Sequence, residues 1–187
     1  MILLTPLRLT GKAYLNIGMS KRQHNEELLK QINEHKAILF KICNVYCQNE
    51  SDREDLAQEI IYQLLRSYEN FTPQYKFSTW MYRVALNVAI SFYRKSRTAG
   101  SVIRLMEIAT EVEDKGDNVI ELENNINRLQ LFISELKELD KALMILYLEE
   151  KNYREISEIL GITETNVATK LSRIKDKLKQ RFLTTNN

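Results

Sequence analysis

The residues best equipped for chemistry in this chain are cations set at helical spacing. Over 170–181, Lys170, Arg173, Lys175, Lys177, Lys179 and Arg181 are opposed only by Asp176. The segment before them has a recognisable design. Ile156, Ile159 and Leu160 lie on one side of a short helix, and Gly161 stands where a left-handed residue ends it. Ile162 then fills the corner and Thr163 is placed to cap a second helix, whose stripe is Val167, Leu171, Ile174 and Leu178. This is the spacing of a helix-turn-helix. Opposite the stripe stand Thr165, Asn166, Thr169, Lys170, Arg173 and Lys177. Such side chains donate to phosphates and base edges when a helix enters a major groove. An ordinary helical hairpin with a solvated basic end is the plainer alternative, and the density of cations favours DNA.

Other chemistry has little to work with. The chain holds 2 His and 2 Cys among 187 residues, with no Gly-rich phosphate loop and no nucleophile paired with a base. No enzymatic activity, cofactor or metal is expected. Cys43 and Cys47, four residues apart, would need two further ligands to hold zinc, and only His24 and His35 are available. They read better as buried reduced thiols in a cytoplasmic protein. The longest apolar run, Ala142 to Leu148, falls far short of the roughly 20 residues that span a bilayer, so no membrane insertion is expected.

Elements must position these residues, and composition says which kind. The chain has 5 Gly and 2 Pro, a scarcity that suits helices and not the many tight turns of sandwiches or barrels. The expected class is all-α: two small helical domains joined by a flexible acidic linker, the C-terminal one a helix-turn-helix. Residues 1–21 are expected to be a disordered extension, with Met19-Ser20-Lys21-Arg22 reading as a natural start. The first domain is assigned to 22–97, the linker to 98–121 and the second domain to 122–183. Within the first, apolar spacing predicts a helix over about 22–48. Ser51-x-x-Glu54 predicts a capping box opening the next, which runs to about Tyr68. Pro73 stops the pattern, and Thr79 is placed to cap a helix over about 80–96. Later helices are expected near 119–136, 138–149, 153–160 and 163–182.

Two polar faces stand out in the first domain. Asp55, Gln58, Glu59, Tyr62 and Arg66 fall at three- and four-residue steps opposite Leu56, Ile60 and Leu64. Further on, Trp80, Val84, Ala85, Val88 and Phe92 read as core, while Arg83, Asn87, Ser91 and Arg94 occupy the other side. From Arg83 to Arg104 there are 5 basic residues and no acidic one, an electrostatic footprint for phosphates.

The blocks Asp55-Leu-x-Gln-Glu59, Phe77-x-Thr-Trp80 and the basic end at 94–97, followed by the helix-turn-helix, resemble the sigma factors of bacterial RNA polymerase, in particular the extracytoplasmic-function type. The resemblance covers about 25–182. It implies that the face Asp55, Gln58, Glu59, Tyr62 and Arg66 docks on the clamp helices of the largest subunit of core RNA polymerase. It implies that Lys76, Phe77, Ser78, Arg83, Asn87, Ser91 and Arg94 engage the minus-ten element of promoter DNA and assist its melting. It implies minus-thirty-five recognition by Thr165, Asn166, Thr169, Lys170, Arg173 and Lys177. Here Ala168 and Ser172 replace a frequent Arg and a frequent aromatic, and the melting loop carries Pro73, Tyr75 and Lys76 in place of small and acidic residues. The acidic stretch Glu111, Glu113, Asp114, Asp117, Glu121 and Glu123 reads as a tether, and the resemblance implies that it threads a basic channel of the polymerase. An anti-sigma factor is an implied partner. A dimeric repressor would explain 153–182 but leave the 55–97 blocks unexplained, and a helical adaptor or enzyme with a basic tail is the remaining rival.

Overall fold

Apolar residues at three- and four-residue steps become helices packed along their stripes, as seen in a computed structural model that describes residues 21–72, 74, 76–98 and 128–184. The expected extension before Lys21, nearly all of the linker, and Pro73 and Tyr75 lie outside the described residues. Helix α1 spans Lys21–Glu34, α2 Lys36–Tyr46, α3 Glu50–Ser67 and α4 Phe77–Thr98, with a single 3-10 turn at Tyr68–Asn70. Helix α5 is described over 128–135; α6 spans Glu138–Leu148, α7 Tyr153–Leu160 and α8 Glu164–Thr184. Among the described residues there is no strand. No described helix is long and apolar enough to cross a membrane.

Helices α2, α3 and α4 pack on one another around Ile38, Ile42, Leu56, Ile60, Leu64, Met81 and Leu86, all buried. Cys43 and Cys47 are buried free thiols, as expected. Burial pushes the two thiols up to about 11 and about 12, so they stay protonated and weakly reactive at neutral pH.

Local chemistry moves several expected boundaries. The single helix expected over 22–48 is broken at His35 (φ −109°, ψ 17°), whose ring nitrogen Nδ1 lies 3.0 Å from the carbonyl oxygen of Gln31. Helix α3 is capped two residues before the expected box: the Asn49 side chain accepts from the Asp52 amide at 2.7 Å, so Ser51 lies inside the helix. Helix α4 likewise begins ahead of Thr79, because the Lys76 carbonyl accepts from the Thr79 and Trp80 amides at 3.0 and 3.2 Å.

The C-terminal elements follow the expected pattern closely. Helix α7 opens on a complete capping box, with the Asn152 side chain on the Glu155 amide and the Glu155 carboxylate on the Asn152 amide. It closes at Gly161, in the left-handed region at φ +68°, with the Gly161 and Ile162 amides both donating to the Ser157 carbonyl. Thr163 caps α8 by accepting from the Asn166 amide at 3.2 Å. Val167, Leu171 and Ile174 point into the core as the stripe requires.

Helix α6 has a run of buried residues from Lys141 to Leu146 that covers every side of the helix. That follows from its place: α7 and α8 pack on one side and α2 and α4 on the other. The two helical groups therefore share one continuous core.

A Cβ at Gly161 meets nothing within 4 Å, so Gly161→Ala carries only the cost of the left-handed backbone. The substitution should destabilise the chain by about 1–2 kcal/mol in denaturant unfolding, with Gly161→Asn costing less.

Candidate nucleic-acid interface and the seam beside it

Asp55, Gln58, Glu59, Tyr62 and Arg66 are all exposed along α3, while Leu56, Ile60 and Leu64 are fully buried beneath them. Tyr62 stands 56% exposed, much for a large ring on a solvated face. Glu59 accepts from the Gln63 amide at 2.8 Å, an internal i,i+4 contact that leaves the row open.

A block of rings stands at the start of α4. Phe71 stacks on Tyr68 at 5.8 Å and meets Phe77 edge-on at 5.8 Å, and Trp80 packs within 5.2–5.9 Å of Phe71, Phe77 and Tyr68. His35 closes the block against Phe77 at 5.4 Å, which links the α1–α2 break to the start of α4. Aromatic pairs at these separations add roughly 0.5–1.5 kcal/mol each beyond area burial. Phe77 is thus held among neighbouring rings and only partly exposed, Ser78 is half-buried beside it, and Lys76 is exposed. Along α4, Arg83, Asn87, Ser91 and Arg94 are all exposed on one side, with the Ser91 hydroxyl donating to the Asn87 carbonyl at 2.9 Å.

In α8, Thr165, Asn166, Thr169, Arg173 and Lys177 are exposed, and the Thr169 hydroxyl donates to the Thr165 carbonyl. Lys170 differs. It is half-buried and paired with Asp140 of α6 at 3.6 Å, so the structure gives it an internal partner that spacing alone does not reveal. Lys175 lies over the Tyr147 ring at 5.1 Å.

The two groups meet at a seam centred on Lys141, which is 2% exposed. Its ammonium sits 4.3 Å from the Tyr93 ring centre and 5.8 Å from that of Tyr46, and it donates to the Val45 carbonyl over a long 3.5 Å. The Tyr46 hydroxyl donates to the Glu138 carbonyl at 2.6 Å, and Arg94 pairs with Glu138 at 3.9 Å. Burial, then Glu138, raises the Tyr46 hydroxyl well above the usual phenol range. At the far end of α6, the Glu149 carboxylate takes Lys41 on one oxygen and the Tyr82 hydroxyl on the other, the latter at 3.0 Å. Burial pushes Glu149 up, and the bonds from Lys41 and Tyr82 outweigh it, leaving the carboxyl below its ordinary value of 4.5. A cavity of about 670 Å³ opens between the start of α4 and the helix-turn-helix, lined among others by Thr79, Trp80, Arg83, Gly161, Thr163 and Asn166.

Comparison with known proteins gives this geometry its context. Residues 31–98 match Sigma-70 region 2, and residues 126–178 match Sigma-70, region 4. The RNA polymerase sigma factor SigV of Bacillus subtilis (strain 168) is 30% identical over 158 residues, covering 83% of this chain and 91% of its own. The chain belongs to the extracytoplasmic-function sigma factors of RNA polymerase. The ECF RNA polymerase sigma factor SigW of the same bacterium is 28% identical over 178 residues, covering 89% of this chain and 94% of its own. The fold also matches CnrH in complex with the cytosolic domain of CnrY, at TM-score 0.61 and 16% identity over 89% of this chain and 96% of that one. It matches the sigma factor RpoE of Bartonella quintana, solved with the anti-sigma factor NepR, at TM-score 0.62 and 15% identity over 87% and 99%. As a sigma factor the chain serves transcription initiation, with core RNA polymerase and promoter DNA as partners.

In this sigma factor the seam has little signature in the sequence. Nothing in the spacing of Lys141, Glu138 and Glu149 marks them out. Their one signal is that α6 is apolar on nearly every side, which no single-faced helix requires.

The Glu149 carboxylate, held below its ordinary range, stabilises the folded chain when ionised and loses that contribution as pH falls through its depressed folded value. Acid unfolding should therefore show a pH slope through the carboxylate range that Glu149→Gln flattens. The difference should stay within the ~1 kcal/mol typical of partly exposed pairs.

Proposed function

We propose that this sigma factor directs promoter-specific initiation through three separate faces and has no chemistry of its own. The domain division runs 22–97 for core binding and the minus-ten element, 98–121 for the linker and 122–183 for the minus-thirty-five element. The protein acts in the cytoplasm and is not an enzyme.

The observation that carries the reading is the conjunction of two Sigma-70 regions, in order, with an exposed polar face on each. The α3 row of Asp55, Gln58, Glu59, Tyr62 and Arg66 meets the clamp helices of the largest polymerase subunit. Its acids and amides complement a basic partner helix and orient the encounter. Lys76, Phe77, Ser78, Arg83, Asn87, Ser91 and Arg94 take the minus-ten element. The cations track the backbone, and the ring block at the start of α4 offers a stacking surface for an unpaired base. Thr165, Asn166, Thr169, Lys170, Arg173 and Lys177 read the minus-thirty-five duplex from α8, with Lys170 exchanging Asp140 for a phosphate.

An anti-sigma factor is a proposed partner, supported by the NepR complex of the structurally similar RpoE. The linker serves as an acidic tether through the polymerase.

Asp55→Lys or Glu59→Lys should weaken binding to core polymerase roughly tenfold or more without changing the unfolding midpoint, since both side chains are exposed. Equal core affinity for the charge-reversed chains would refute the α3 assignment. Arg173→Ala should weaken promoter binding by the holoenzyme and lower the slope of log affinity against log salt by about one. A slope equal to that of the unaltered holoenzyme would refute the α8 docking.

A further inference from the structure

His35 does two things at once. Its backbone ends α1 and opens α2, since its amide lies within hydrogen-bond reach of the Gln31 and Ile32 carbonyls and its carbonyl accepts from the Ile38 amide. Its ring reaches the start of α4 and meets Phe77 at 5.4 Å between centroids, tilted by 60°. The block it joins is otherwise local, because Tyr68, Phe71, Phe77 and Trp80 all lie within one short stretch of chain. All five residues are partly exposed.

The ring's hydrogen bond determines what it presents. Nδ1 lies 3.0 Å from the Gln31 carbonyl oxygen, and a carbonyl can only accept, so Nδ1 carries the hydrogen. In the neutral imidazole the other nitrogen, Nε2, is then an acceptor. Among the described residues Nε2 has no hydrogen-bond partner, although His35 is half-buried. A half-buried acceptor beside a partly exposed stack of rings suits a ligand that stacks and donates. An unpaired nucleobase with an exocyclic amine has that chemistry. The minus-ten surface offers few rivals for the amine, because the sequence over 71–98 contains no Asp or Glu. Its lysines and arginines only donate, so they suit phosphates and base oxygens. A purely structural task for His35 accounts for Nδ1. It does not account for a ring with a free nitrogen set against Phe77.

We propose that His35 is a specificity-determining residue of the minus-ten site, with Nε2 accepting from the amine of an unpaired adenine or cytosine stacked at the ring block. The Gln31 carbonyl holds the ring in the required tautomer, and Phe77 sets its tilt. Guanine and thymine present a carbonyl oxygen where adenine and cytosine present the amine, so two acceptors would face each other. The reading rests on the minus-ten assignment proposed above and adds the residue that chooses a base there.

Selection from templates randomised across the minus-ten element, run with the reconstituted holoenzyme, tests it. The unaltered chain should prefer adenine or cytosine at one melted position by about three- to tenfold, the range expected of a single hydrogen bond. His35→Phe keeps a ring and removes both nitrogens, whereas His35→Asn keeps a donor near Nδ1 and removes Nε2. Both should flatten the preference. His35→Gln places an amide oxygen near the Nε2 position and should retain most of it. At that position a base analogue lacking the amine should weaken the unaltered holoenzyme by the same factor and leave His35→Phe unaffected. Preferences at minus thirty-five and affinity for core polymerase should be equal in all four chains. An unchanged minus-ten preference in His35→Phe or His35→Asn would overturn the proposal. So would a loss shared by His35→Gln or by the minus-thirty-five element, the mark of a merely structural residue. A holoenzyme that selects no minus-ten sequence at all would instead overturn the minus-ten assignment.

Discussion

Lys141 is charged, almost wholly buried and set where two helical groups meet, and such a cation makes strict demands on its surroundings. Removing an ammonium from water costs several kcal/mol unless partners replace the lost hydration. Two tyrosine faces and a distant carbonyl supply part of that, with electrostatics that strengthen as water is excluded. The cage exists only while α6 lies against α2 and α4, so the state of one side chain is tied to the relation of the two groups. The remaining seam contacts follow from the same placement: Tyr46 reaches the Glu138 carbonyl, Arg94 reaches the Glu138 carboxylate, and Glu149 collects Lys41 and Tyr82.

Charge distribution carries the same logic through the molecule. A net charge of +2 averages a basic α4 and a basic α8 against acids placed at α3, the linker and the first turn of α6. Within the fold the acids of α6 meet two cations of the basic helices, Arg94 of α4 and Lys170 of α8. A near-neutral total therefore conceals stretches of opposite sign along the chain.

Much of this was legible in the residues. Gly161, Thr163 and the stripe from Val167 to Ile174 gave the helix-turn-helix almost to the residue, because turn chemistry and helical period agreed there. The α3 face was equally plain, since Leu56, Ile60 and Leu64 leave only one side for Asp55 and its neighbours. The break at His35 was not legible, because the apolar period runs through it and its cause is a ring contact with Phe77, far along the chain. The start of α3 was not legible either, because Asn49 and Ser51 both have capping side chains and only the fold decides which one meets a free amide. The seam was the largest gap. Lys141 and Glu149 look like any solvated charges until two distant segments come together around them.

Whether this chain confers promoter-specific initiation on core RNA polymerase is decided by run-off transcription. Purified core enzyme is supplied with and without the chain on templates randomised across both promoter elements. Discrete transcripts from a recoverable pair of upstream elements should appear only when the chain is present. The same transcript pattern with and without the chain, together with tight binding of the chain alone to a palindromic site as a dimer, would show a repressor and not an initiation factor.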